Sequence, residues 1–198
     1  MTLAMFLLWG MRIEAIVARK ITPAPAMAPG WFLPVLAAVS AAFLAIALLG
    51  VVRSRDAKVS TFDFSLPTIN AVGSYLAASV VVNDADGSAL ALNLVAILYA
   101  LVHFGAAFGL GRRKIDGVPG TNSFIVAGGT LLGLALPGAL GSVPAAPVLG
   151  AAALGVAVLS DRWKSGAVRL TSYLLQVYAV ISLAFFFLAT GFPASPLA

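Results

Sequence analysis

Six long apolar runs, separated by short polar or basic breaks, dominate the chain. The first extends from Trp31 to Val52, and at 1.5 Å per residue it is long enough to cross a hydrocarbon core about 30 Å thick. Trp31 sits at one end as an aromatic anchor, and Arg53 and Arg55 stop the other. The second run, about Ser65 to Val82, contains Pro67, Asn70 and Gly73. Pro67 falls in its first turn, where a missing backbone N–H costs little. Asn83-Asp84-Ala85-Asp86-Gly87 then reads as a turn, and Ser88 as the N-cap of a third helix that runs to about Leu110. Arg112-Arg113-Lys114 ends it. The fourth run is about Asn122 to Leu140, with a kink expected at Pro137. A turn over Gly141-Ser142-Val143-Pro144 leads to a short fifth run, about Ala145 to Leu159. A loop carrying Arg162, Lys164 and Arg169 precedes the sixth, about Leu170 to Thr190. The pattern predicts an all-α fold: a polytopic membrane helical bundle of about six transmembrane helices arranged as three antiparallel hairpins, forming one domain over residues 31–198.

Composition strengthens that assignment. Of 198 residues, 61% are hydrophobic and only 10% are charged, against about 25% charged in an ordinary soluble domain. Lipid must therefore cover much of the surface, and nothing is left over for a soluble catalytic domain.

The net charge of +5 has the sign that nucleic acid attracts, but the basic residues sit in clusters between apolar runs, the pattern of positive-inside loops. Topology or anionic-lipid contact explains them, and no nucleic-acid partner is expected. Arg53, Arg55, Lys58, Arg112, Arg113, Lys114, Arg162, Lys164 and Arg169 all fall on one side, and Asp84 and Asp86 on the other. The basic loops 53–58, 112–114 and 162–169 are accordingly expected in the cytoplasm, and the protein in a cell inner membrane. Arg19 and Lys20 are the exceptions. With no cysteines, disulfides, thiol redox chemistry and thiolate metal sites are excluded.

Residues 1–30 form the ambiguous segment. The apolar run within Met1 to Val17 is short and is followed by Arg12 and Glu14. A signal peptide would carry its positive charge before the apolar run. A seventh span would hold Arg12 inside the bilayer, at about 2.5–3.5 kcal/mol if central. An interfacial or partner-docked helix is the expectation.

The basic cores VVRSRDAK, GLGRRKID and LSDRWKSG recur once per hairpin, from duplication or simply because positive-inside topology imposes the pattern. The stretch Tyr99 to Leu140 combines a helix ending in a basic pair, then Ser-Phe, then a small-and-aliphatic helix ending Leu-Ala-Leu-Pro. This hairpin, about a fifth of the chain, resembles a unit from a large family of uncharacterised bacterial membrane proteins built from many hairpins. The resemblance implies a multi-span bundle and assigns no activity or functional residues.

Small residues recur at helical spacing: Ala37, Ala41 and Ala45; Gly129 and Gly133; Gly150 and Leu154 beside Ala151 and Gly155. Such stripes serve either close packing within the chain or docking of a partner, including a second copy. His103, the single histidine, shares a helical face with Tyr99; Asn93 lies further up the same helix, and Asn70 and Gln176 are the other strong hydrogen-bonding groups. These five are the candidate substrate-binding residues if they surround one cavity. If each instead bonds a neighbouring helix or a backbone carbonyl, they are structural glue. In either case the face carrying His103 should point into the bundle, with the second and fourth spans as neighbours.

No Asp, Glu, Lys or Arg stands clearly mid-span, which weighs against ion-coupled transport. A single histidine cannot make a bis-histidine haem or multi-histidine metal site, and the glycines lie inside apolar helices rather than in a phosphate-cradling loop. No cofactor is expected and no enzyme activity. The leading expectation is a non-enzymatic membrane subunit or scaffold of a larger inner-membrane assembly. The alternative is a small-molecule binding or transport unit. Six spans in about 200 residues resembles the substrate-binding subunits of energy-coupling-factor vitamin transporters; that resemblance implies docking through an Ala-rich first helix, here Ala37, Ala41 and Ala45. A lipid-modifying enzyme using His103 is the third and weakest reading.

Overall fold

A computed structural model describes residues 29–53, 61–112 and 119–190. They form six α-helices: α1 (Pro29–Arg53), α2 (Thr61–Asp84), α3 (Ala89–Arg112), α4 (Pro119–Leu140), α5 (Ser142–Trp163) and α6 (Gly166–Thr190). No strand occurs among the described residues. At 22 to 25 residues each, the helices are about 33–38 Å long, enough to cross a bilayer. All six are apolar enough to span. Large apolar side chains such as Leu98, Leu154, Val158 and Leu188 stand exposed around the outside, where only lipid can solvate them favourably. The chain is a multi-pass integral membrane protein.

α4 is the hub. It packs against α2, α3, α5 and α6, and more of it is buried than of any other span. α1 leans mainly on α2 and is the least buried. The closest pairs include α3 with α4 and α5 with α6, as consecutive helices with short links require. The core centres on α4 through Phe124, Ile125, Leu131 and Ala135, met by Ala100 and Ala107 of α3, Ala71 of α2 and Leu149 and Ala153 of α5.

Several boundaries follow local chemistry. The Ser88 hydroxyl accepts from the Ala91 N–H at 3.2 Å, the expected N-cap of α3. Asp86 takes a left-handed conformation (φ 51°) in the turn before it, and the Gly87 N–H closes back on the Val82 carbonyl at 2.7 Å. α4 continues through Pro137 to Leu140.

Two expectations need correction. The fifth helix is not short: only Gly141 (φ 82°) stands between α4 and α5, and Ser142, Val143 and Pro144 already belong to α5. Pro144 sits in the first turn, where backbone N–H groups have no intrahelical acceptor, so it does not delay the helix. The loop expected over 162–169 shrinks to Lys164 and Ser165. Lys164 adopts a left-handed cap (φ 49°), and the Ser165 hydroxyl accepts from the Val168 N–H at 3.4 Å, capping α6 well before Leu170. Arg169 is therefore helical, and it pairs with Asp161 at 2.7 Å. Both side chains are more than half exposed, so the pair contributes little.

Arg53 ends α1, Arg112 ends α3 and Arg162 lies in the last turn of α5. Gly111 packs against the ring of Trp163, which brings the C-termini of α3 and α5 together. Residues 1–28, with the interfacial helix expected over Met1 to Val17, lie outside the described residues, as do Arg55, Lys58, Arg113 and Lys114; Pro29 and Gly30 begin α1.

Candidate functional site

Ser40, Asn70 and Tyr99 stand near the middle of α1, α2 and α3, so antiparallel packing brings them to one depth. The Asn70 amide donates to the Ser40 carbonyl at 3.0 Å, to the Tyr99 hydroxyl at 3.0 Å and to the Ser40 hydroxyl at 3.2 Å. Ser40 Oγ in turn donates to Tyr99 at 2.9 Å, and Tyr99 to the Ser40 carbonyl at 3.1 Å. Ser40 and Asn70 are buried. In hydrocarbon each of these groups alone would be costly; joined, they tie three helices.

His103 lies one turn along α3 from Tyr99 and is fully buried. Its Nδ1 is 2.8 Å from the Tyr99 carbonyl. A carbonyl only accepts, so Nδ1 carries the proton in the neutral ring and Nε2 holds a lone pair. The ring stands edge-on to Tyr99 with centroids 4.5 Å apart, and tilted to Phe124 of α4 at 6.1 Å. This face points into the bundle, as its sequence predicts. Two buried acceptor atoms beside Tyr99, His103 Nε2 and Asn70 Oδ1, have no hydrogen-bond partner among the described residues.

The other predicted residues lie elsewhere. Asn93 is buried one and a half turns nearer the α2–α3 turn, where its Oδ1 accepts from the Tyr75 hydroxyl at 2.8 Å. Gly138 of α4 packs directly on the Asn93 amide. Gln176 joins neither cluster. It is exposed on α6, and its Nε2 donates at 3.3 Å to Ser172 of the same helix. Ser172 itself donates to the Ala153 carbonyl of α5 at 2.9 Å. The five candidates thus form no single site: Asn70, Tyr99 and His103 meet, Asn93 stands apart, and Gln176 faces outward.

Ser40 and Tyr75 were missed by sequence reasoning. A signal for Ser40 existed, since it is the one hydroxyl residue between Trp31 and Val52. The small-residue stripes also divide. Gly129 and Gly133 admit Thr171, Leu175 and Tyr178 of α6, whereas Ala37, Ala41 and Ala45 lie exposed and Gly150 and Gly155 border open space.

Among the described residues no group of three His, Cys, Asp or Glu side chains stands close enough to hold a metal. What the Asn70–Tyr99–His103 cluster offers is hydrogen-bond acceptance at two buried atoms beside aromatic faces. Comparison with protein-family models, with curated proteins and with solved structures yields no match.

Proposed function

We propose that this bundle is a non-enzymatic subunit or scaffold of a larger inner-membrane assembly, with its basic ends in the cytoplasm. The supporting observation is how the mid-membrane polar groups are used: Ser40, Asn70 and Tyr99 bond one another across α1, α2 and α3, and Tyr75 bonds Asn93 across α2 and α3. Groups used in this way hold helices in register and suit a rigid structural element. The test is isolation of the tagged full chain in mild detergent, followed by native mass spectrometry. Defined membrane-protein partners at fixed stoichiometry are expected; a chain that isolates alone from native membranes would refute the reading.

A second reading, a small-molecule binding or transport unit, draws on the two unpartnered acceptors, His103 Nε2 and Asn70 Oδ1. Its ligand would supply hydrogen-bond donors. The same spectrum tests it: a retained small molecule, lost in Asn70→Leu and His103→Ala, would favour this reading over the first.

A further inference from the structure

Gln176 is the feature of the bundle that neither reading absorbs. The span of α6 runs Gly166–Leu188, so residue 176 lies within one position of its midpoint. Among the described residues the amides Asn70, Asn93 and Asn122 are buried, and Asn83 is exposed only at the end of α2, where water reaches it. Of these amides, Gln176 alone combines mid-span depth with exposure.

A primary amide has two N–H groups and an acceptor oxygen. The single hydrogen bond Gln176 makes among the described residues uses one N–H, at 3.3 Å. The remaining N–H and oxygen have no partner among the described residues, and hydrocarbon offers none. Tyr173 and Val180 flank it at helical spacing, both more than half exposed, so the amide lies within an open strip of α6.

We propose that this α6 face is the interface with a second copy of the chain. The reason is the amide's self-complementarity combined with membrane geometry. Two copies insert with the same topology, so their two-fold axis lies along the membrane normal and equal residues occupy equal depths. Gln176 then meets the partner subunit's Gln176, and each amide donates to the other's oxygen. A different helix would need its own polar group at this depth; a second copy has one by construction. The inference requires only that the bundle spans a bilayer, and it names one member of the assembly proposed above.

The chain has no cysteine, so one engineered thiol reports cleanly. Val180→Cys lies one turn from Gln176 on the same face and should form a disulfide-linked dimer on mild oxidation of native membranes, which requires Cα atoms within about 7 Å. Adding Gln176→Leu should cut cross-linking roughly tenfold, while Gln176→Asn should retain most of it. Leucine at an exposed lipid-facing position leaves the fold intact, checked by the monomer's elution in detergent. Val95→Cys on α3 should stay monomeric. The proposal falls if Val180→Cys does not cross-link, if Gln176→Leu leaves the yield unchanged, or if Ala41→Cys on α1 cross-links instead. Capture of a different membrane protein together with a monomeric Val180→Cys chain would overturn this inference and leave the assembly role standing.

Discussion

Asn70 and Tyr99 share the interhelical bonding of the cluster: the Asn70 amide reaches both Ser40 and Tyr99, and the Tyr99 hydroxyl reaches both Ser40 and Asn70. Tyr99→Phe removes an acceptor for Asn70 and a partner for Ser40 while keeping the ring against His103. The expected loss is about 1–2 kcal/mol of stability, measured by reversible unfolding in bicelles, because membrane hydrogen bonds contribute about 0.6–1.7 kcal/mol each. His103→Gln should cost less, near 1 kcal/mol. The imidazole bonds only a carbonyl of its own helix, and an amide can make a similar bond. A loss several times larger, with a bound molecule released, would show that His103 does more than pack.

At the scale of helices, close approach around α4 depends on missing side chains. A Cβ at Gly129 would come within 2.7 Å of Thr171 Cγ2, and one at Gly138 would strike the Asn93 amide. Gly138→Leu should therefore separate α3 from α4 and unpair Tyr75 from Asn93. A cost of about 1–3 kcal/mol is expected from overpacking alone. Ala41→Leu on α1 is the contrast. That position is exposed, so the change should stay within about 0.5 kcal/mol in detergent. The same unfolding assay compares the two; equal effects would contradict the packing described.

At the scale of the molecule, charge asymmetry sets orientation. Arg112, Arg162, Lys164 and Arg169 gather toward one end of the bundle, where Gly111 meets Trp163. Lys164→Cys should resist an impermeant thiol reagent in intact cells, as should Lys58→Cys and Lys114→Cys. Ala85→Cys, in the exposed α2–α3 turn at the opposite end, should label readily. Labelling at Lys164 without labelling at Ala85 would invert the topology.

The amino-acid sequence by itself determined the class, the number of spans and the pairing into hairpins. Those depend on run length and hydropathy against a solvent of fixed thickness, and both are local quantities. It also determined that the His103–Tyr99 face turns inward, because two polar groups one helical turn apart must share a face. Where α5 and α6 begin is only half legible: Pro144 reads as a break although it fits the first turn of α5, and Ser165 is one of several polar residues that could cap α6. Which polar groups meet was decided by tertiary structure alone. Helical spacing says which residues share a face of one helix, but not how neighbouring helices rotate toward each other. That rotation joined Ser40 to Asn70 and Tyr99, gave Asn93 to Tyr75, and left Gln176 outward at mid-membrane depth. It is set by where small residues such as Gly129 and Gly138 let backbones close, a property of pairs of helices that no single stretch of sequence contains.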